Sequence, residues 1–99
     1  MRNIGAITML PESTKDLTIC EKIQVQYLKD ECYRYIGIAK ENISICDEIQ
    51  DQIGTKEWCY LEVAKAKQDN SICDKIQYQN IKDECYYRVA KAKEDTTPR

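Results

Sequence analysis

Six cysteines are the residues whose type and spacing could do chemistry, because they recur along the chain at a nearly constant interval. They are Cys20, Cys32, Cys46, Cys59, Cys73 and Cys85. Alternate cysteines lie 26 or 27 positions apart in a chain of 99 residues. An even number of regularly spaced cysteines in so short a chain is typical of structural disulfides. Such bonds predict an extracellular or otherwise oxidising compartment, or alternatively the cytoplasm of a hyperthermophile.

Metal binding and redox catalysis are the competing uses of these thiols. The chain contains no histidine and no C-x-x-C pair, so the spacings of zinc fingers and zinc ribbons are absent. Cys20, Cys46 and Cys73 lie near predicted helix starts, where thiol pKa values can fall. Each nevertheless has another cysteine 12 or 13 positions away and an apolar neighbour, which favours a buried disulfide. We predict no metal and no cofactor, and a thiol–disulfide enzyme is the least favoured function.

Other catalysis has few side chains to use. Without histidine, the commonest general base is missing. The acidic residues recur at equivalent positions of a repeat, in predicted first turns of helices that face water. We interpret them as helix caps and solubilising charges, and we predict that the protein is not an enzyme and has no catalytic residue.

The sequence around the cysteines forms a threefold repeat, and each unit opens with a short helical pattern. That pattern covers 18–24, 44–50 and 71–77. Each copy begins with Ser or Thr followed three positions later by an acid, which is typical of a capping box. These openings are Thr18 with Glu21, Ser44 with Asp47, and Ser71 with Asp74. Asn42-Ile43-Ser44 also matches a glycosylation sequon, but helix capping is the favoured role of Asn42.

Each unit continues with a longer helical pattern. It covers 29–40, 55–67 and 81–93, with cysteine, tyrosine and an aliphatic residue at helical spacing. Acids crowd the first turn and lysines the last turn, which complements the helix dipole. The chain contains only three glycines and two prolines, and this scarcity also favours helix over a turn-rich β fold.

Hairpin geometry favours one of the fifteen pairings that six cysteines permit. In an antiparallel helix pair, facing residues lie equally far from the turn. The midpoint of Cys20 and Cys32 is Gln26, beside the break between two predicted helices. The rival pairing of Cys32 with Cys46 would centre on Ala39, near the end of a predicted helix. We therefore predict the bonds Cys20–Cys32, Cys46–Cys59 and Cys73–Cys85, one in each hairpin.

Stacking is what allows such hairpins to bury their apolar faces, because a pair of short helices cannot do so alone. The predicted fold is all-α: a short right-handed α-solenoid of three disulfide-stapled helix-turn-helix repeats with an N-terminal arm. The predicted bounds are 1–15 for the arm, 16–42, 43–69 and 70–94 for the three repeats, and 95–99 for a C-terminal tail.

This pattern resembles tetratricopeptide repeats, and more closely the paired-cysteine helical repeats found in proteins of thermophilic archaea. The resemblance covers 16–94 and rests on the helix-turn-helix period and on small residues in the second helix of the unit. Those small residues are Ala64, Ala66, Ala90 and Ala92. The period is shorter than the tetratricopeptide period of 34, and the Trp-Leu-Gly-Tyr signature is missing. The peptide-binding residues of that family are therefore not carried over.

The charge pattern argues against nucleic acid and membranes as partners. Charged residues make up 32% of the chain, its net charge is −2, and both signs are interspersed. Nucleic-acid binders show basic stripes, and membrane-surface segments show basic clusters. The longest apolar stretch, 4–10, is too short to span a bilayer. We predict a protein partner instead.

Aromatic residues that interrupt the repeat are the candidate contact residues. Three equivalent tyrosines, Tyr33, Tyr60 and Tyr86, are interpreted as core. Trp58 instead occupies a predicted solvent-facing position that holds glutamate in the other two units. Tyr35 and Tyr87 also have no aromatic counterpart. Exposed aromatics are frequent interface hot spots; local packing is the alternative for Trp58 and the favoured interpretation of the two tyrosines.

The ends of the array lack the atypical capping repeats that solenoids usually carry. Because the first and third units match each other closely, the last hairpin is predicted to present a surface that fits the beginning of another copy. Such head-to-tail contacts close into rings or continue as filaments. Four apolar residues of the arm are predicted to pack over the first hairpin or against a neighbouring subunit: Ile4, Ile7, Met9 and Leu10.

The predicted function is therefore that of a structural or scaffold protein that mediates protein–protein association. Its favoured form is a homo-oligomer or filament, with Trp58 and the arm contributing contacts. The alternative is a monomeric, tetratricopeptide-like adaptor that binds a partner peptide on a concave face.

Overall fold

The computed structural model describes residues 17–51 and 54–96, and in these two stretches the chain is all-α with no strand. The helical segments are α1 (17–21), α2 (Gln26–Lys40), α3 (Ile43–Cys46), α4 (Thr55–Lys67), the 3₁₀ helix η1 (Asn70–Lys75) and α5 (Gln79–Thr96). The arm at 1–15, with Ile4, Ile7, Met9 and Leu10, lies outside the described residues. Most of the C-terminal tail lies outside them too.

One disulfide joins the short and the long helix of each hairpin. The bonds are Cys20–Cys32 in the first hairpin (α1 and α2), Cys46–Cys59 in the second (α3 and α4) and Cys73–Cys85 in the third (η1 and α5). The paired Cα atoms lie 5.6 to 5.7 Å apart. This is the pairing that the hairpin argument selected.

Consecutive hairpins pack side by side. Helix α4 contacts α2 on one side and both η1 and α5 on the other, whereas α2 and α5 do not touch. The core runs through these junctions and contains the sulfur atoms together with aliphatic and tyrosine side chains. Its fully buried members include Ile49, Leu61, Val63, Ile76 and Val89.

A glycine lets the long helix of the first hairpin lie directly on the disulfide of the second hairpin. A Cβ atom added to Gly37 of α2 would lie 3.2 Å from Cys59 Sγ and 3.4 Å from Cys46 Sγ. The equivalent residue of α4 is Ala64, which is fully buried in the next junction. A larger side chain at either position would separate the two hairpins.

The short helices are capped by Asn42 and Asp69 rather than by the predicted serines. Asn42 Oδ1 accepts a hydrogen bond of 2.9 Å from the backbone N–H of Ser44, and Asp69 Oδ1 accepts one of 3.0 Å from that of Ser71. The serine assignment was wrong because these serines lie inside the first turn, where the N–H groups need an acceptor. The capping role expected of Asn42 is confirmed.

Helix α4 has its predicted bounds, Thr55–Lys67, whereas the other two long helices extend beyond theirs. Helix α2 begins at Gln26 rather than at 29, and α5 covers Gln79–Thr96 rather than 81–93. Helices α2 and α4 end at left-handed residues, Glu41 and Gln68. Glu94 occupies the equivalent position of the third hairpin but does not end its helix, because α5 continues to Thr96. The earlier starts mean that the acidic residues of α2 and α5 lie beyond the first turn.

Asp30 shows the consequence of that shift, because it is buried, only 1% exposed, and does not face water as expected. Its Oδ1 accepts hydrogen bonds from Gln26 Nε2 at 2.9 Å and from the backbone N–H of Gln50 at 3.1 Å. Its Oδ2 is buried without a hydrogen-bond partner. Asp30 thereby ties α2 to the segment that follows α3.

Replacement of Asp30 by alanine should destabilise the fold by about 1–3 kcal/mol, because the part-buried hydrogen bond from the backbone N–H of Gln50 to this carboxylate would be lost. Asp83 is the matched control. It occupies the equivalent position and accepts from Gln79 Nε2 at 2.9 Å, but it is exposed. Asp83→Ala should change the free energy of unfolding by less than about 0.5 kcal/mol. Urea denaturation measures the free energy of unfolding of both variants. Equal losses would contradict the role of Asp30 in linking α2 to the segment after α3.

Removal of the central disulfide by the double substitution Cys46→Ala and Cys59→Ala should cost about 3 kcal/mol or more. Closure of a loop of this length contributes about 3 kcal/mol in the chain-entropy account, and both sulfur atoms are fully buried, so cavities add to the loss. The matched variant Cys20→Ala with Cys32→Ala should lose less, since Cys32 is partly exposed. Chemical denaturation measures the loss in free energy of unfolding for both variants. A larger loss for the first-hairpin variant than for the central one would contradict the prediction.

Candidate functional site

The six cysteines offer no reactive thiol, because all are disulfide-bonded. Five of them are fully buried, and Cys32 is the partly exposed one. Within 17–51 and 54–96, no three His, Cys, Asp or Glu residues are placed to hold a metal ion. The three bonds fit an oxidising setting.

The first candidate surface, the flank surface, is formed by Trp58 of α4 together with Tyr87, Arg88 and Lys91 of α5. Trp58 is partly exposed, and the Arg88 guanidinium carbon lies 5.9 Å from the centroid of its ring. Arg88 Nε also donates to Glu84 Oε2 at 2.7 Å. This hydrogen bond raises the pKa of Arg88. A cation over an indole face is a favourable contact of about 0.5–1 kcal/mol at exposed sites.

A shallow cavity of about 330 Å³ adjoins these residues. Its lining combines an aromatic ring, three cations and one carboxylate: Lys65, Tyr87, Arg88, Lys91, Ala92 and Asp95. Tyr87 is exposed, as is Tyr35 on α2, which does not line this cavity. Trp58 is thus partly packed against Arg88 and partly accessible, and its role as a contact residue stays a prediction.

The second candidate surface, the head surface, lies on the first hairpin and comprises Ile19 and Leu28. Ile19 is 56% exposed, whereas its equivalents Ile45 and Ile72 are 7% and 5% exposed. Leu28 is 46% exposed, whereas its equivalent Ile81 is 7% exposed. The third hairpin buries Ile81 against the hairpin before it, because Ile81 Cδ1 lies 3.5 Å from a Cβ placed on Gly54.

The third candidate surface, the tail surface, lies on the third hairpin and comprises Tyr86 and Ala90. Tyr86 is 37% exposed, whereas Tyr33 and Tyr60 are 6% and 7% exposed. The core assignment is therefore confirmed for Tyr33 and Tyr60 and wrong for Tyr86. Within the described chain no hairpin lies on this face of α5. Ala90 is exposed for the same reason, although Ala64 is buried.

Neither Ile19 and Leu28 of the head surface nor Tyr86 and Ala90 of the tail surface were predicted as contact residues from the sequence. The signal was present, because alignment by the cysteines places Ile19 with two core isoleucines and Ala90 with Ala64. Only the burial of the internal copies shows that these positions belong to junctions. Two members of the flank surface, Trp58 and Tyr87, were predicted because they interrupt the repeat, whereas Arg88 and Lys91 were not.

A hydrogen bond between tyrosine and carboxylate lies beside two of the disulfides. The hydroxyl of Tyr60 donates to Asp47 Oδ1, and that of Tyr86 donates to Asp74 Oδ1. Each pair joins the residues that follow the two bonded cysteines. Burial, followed by the bond to Asp47, raises the pKa of Tyr60 far above its usual value of about 10. Burial likewise raises the pKa of Tyr33, with Glu21 as the second cause.

Comparisons with known proteins add no assignment to these surfaces. Neither a family model, a curated protein sequence nor a solved structure matches the chain. None of the helices within the described stretches is long and apolar enough to cross a bilayer.

Alkaline pH should destabilise the fold through these tyrosines. The folded state holds the Tyr60 proton at a raised pKa, whereas the unfolded state loses it above about pH 10. The stabilisation is therefore fully present below about pH 10 and is lost progressively as pH rises from there towards the raised pKa of Tyr60 in the folded state. Tyr60→Phe should lower the stability by about 0.5–1.5 kcal/mol at neutral pH and make the alkaline loss shallower.

Urea midpoints measured from neutral pH to about pH 11 follow this titration. Tyr35→Phe is the control, because Tyr35 is exposed and its replacement should leave the alkaline slope as in the unaltered protein. An identical slope for Tyr60→Phe would exclude Tyr60 as a source of the pH dependence.

Proposed function

We propose that this chain is a non-enzymatic structural or scaffold protein that mediates protein–protein association, with head-to-tail self-assembly into an oligomer or filament as its principal form. The observation that carries the proposal is the unequal burial of equivalent residues. Ile19 at one end and Tyr86 at the other are exposed, while their internal equivalents are buried in hairpin junctions.

The serial packing of the hairpins supports an α-solenoid. In such arrays each repeat contacts its neighbours alone, and α2 and α5 are not in contact. The threefold sequence repeat, the stacked hairpins and their disulfides are the features that support the proposed resemblance to paired-cysteine helical repeats of thermophilic archaeal proteins. In this proposal the two end surfaces of the solenoid carry the same kinds of residue that meet inside it. A further copy of the chain therefore adds to either end through the same contacts.

Association of this kind is heterologous, because one end of the array meets the opposite end of the next copy. Contacts of that type generate a ring if the rotation between copies closes and a filament if it does not. In this proposal Trp58 and the N-terminal arm add lateral contacts, and partly buried aromatic anchors commonly dominate such interfaces. The three disulfides suit an extracellular protein or the cytoplasm of a hyperthermophile.

Sedimentation velocity of the oxidised protein at low micromolar concentration tests the proposal. We expect species larger than the 11.6 kDa monomer, with a proportion that rises with concentration, because heterologous association follows mass action. Electron microscopy of the same sample distinguishes rings from filaments. A strict monomer, with or without residues 1–15, would overturn self-assembly.

A monomeric adaptor that binds a partner peptide is the second candidate function, and the flank surface favours it. The cavity lined by Tyr87, Arg88 and Lys91 next to Trp58 offers aromatic and cationic groups to a partner segment. This alternative predicts a stable monomer that retains specific partners in a pull-down. Trp58→Ala would then abolish capture without changing the sedimentation of the free protein.

A further inference from the structure

We infer that the two ends of the array form one defined junction, in which Ile19 of one copy packs on Ala90 and Tyr86 of a second copy. This inference rests on the proposed self-assembly and identifies its contact residues. Its basis is that the chain already contains the same junction twice, between the first and second hairpins and between the second and third.

The internal junctions show what the contact consists of. In the first of them, Ile45 Cβ lies 3.5 Å from a Cβ placed on Gly37, beside the sulfur atoms of Cys46 and Cys59. Tyr33 of the same preceding helix is buried. The hairpin that follows thus contributes an isoleucine and its disulfide, and the hairpin before contributes a small residue and a tyrosine.

The second junction has the same composition with one difference. Ile72 of the third hairpin is buried, as are Tyr60 and Ala64 of the second. Alanine at the small position shows that the junction accommodates a methyl group. Ala90 of the tail surface is therefore no obstacle to a third junction of this kind.

The exposed groups at the two ends are the unmatched halves of such a junction. The tail surface offers Tyr86 and Ala90 beside a depression of about 240 Å³, which Asn70, Val89 and Lys93 also line. The head surface offers Ile19, with Leu28 and the partly exposed Cys32 beside it. Cys59 and Cys85, the internal equivalents of Cys32, are fully buried. All three head residues are thus more exposed than their internal counterparts.

A second copy of the chain is the occupant to which this arrangement points, because the surface continues an interface that the molecule builds between its own hairpins. The junction is asymmetric, since a head meets a tail. One end can therefore be blocked without damage to the other, and this property makes the inference testable apart from self-assembly in general.

The experiment pairs two variants, each blocked at one end. Ile19→Lys places a charge on the head surface, and Ala90→Arg places a long cation on the tail surface. Both positions are exposed, so the hairpins should fold, and circular dichroism checks this. The matched controls are Ala66→Lys and Ala66→Arg, at an exposed position of α4, the long helix of the middle hairpin.

Each blocked variant alone should sediment as an 11.6 kDa monomer, whereas an equimolar mixture should form a dimer of twice that mass. The mixture contains one intact head and one intact tail, which suffice for one junction. The two control variants should assemble like the unaltered protein. Loss of assembly in either control would assign the contact to the sides of the array and overturn the inference.

Reduction of the Cys20–Cys32 bond by a phosphine reductant gives a second measurement on the same mixture. The Ala90→Arg variant keeps an intact head, so its Cys20–Cys32 bond is covered in the dimer. When nine-tenths of this variant is bound, its bond should react about tenfold more slowly, because only the free fraction is open to attack. The bond of the Ile19→Lys partner should react at the monomer rate. Differential alkylation and mass spectrometry separate the two, since the peptides differ at position 19.

The outcomes separate this inference from the proposed function. If the unaltered protein assembles but the mixed variants stay monomeric, or if either variant still assembles alone, the junction is wrong and self-assembly stands. If the unaltered protein is a strict monomer, including through occupation of the head by residues 1–15 of the same chain, both are overturned.

Discussion

The contact between the central disulfide and the long helix of the first hairpin is the constraint on which the rest of the structure depends. The bond aligns the two helices of a hairpin, and the same sulfur atoms form the surface on which the preceding long helix lies. Gly37 permits this contact because a Cβ there would already lie 3.2 Å from Cys59 Sγ, and its equivalent Ala64 is fully buried in the next junction. Helices of four to six residues such as α3 and η1 are marginal alone, and this combination of covalent and packing contacts holds them in place.

Polar groups reinforce the same junctions. Asp30 lies within the packed region and accepts the backbone N–H of Gln50, so a buried carboxylate links consecutive elements. The Tyr60–Asp47 hydrogen bond closes the hairpin beside its disulfide. Both interactions join residues that are far apart along the chain. A buried acceptor that is removed leaves its donor unsatisfied, and the array is therefore specified by polar contacts as well as by apolar burial.

Repetition explains why the ends of the array differ from its middle. Three similar hairpins have two internal junctions, and the same kinds of residue are buried in both. Ile19 and Tyr86 have no hairpin of the described chain to meet, and apolar surface that remains in water favours association. The flank surface has a different origin, because Trp58 and Arg88 interrupt the repeat and contact each other across α4 and α5. Junction contacts thus favour further copies, while the flank surface suits a lateral partner.

The sequence by itself determined the helical class, the three hairpins and the disulfide pairing, because all three follow from local periodicity and from the equal distance of paired cysteines from a turn. It also located Trp58, since a departure from a repeat is visible without coordinates. Tertiary structure alone decided the burial of Asp30, the exposure of Tyr86 and the position of Ile19 at an open end. These properties depend on which hairpin covers which face, and equivalent residues in a repeat have the same local sequence but different neighbours in space.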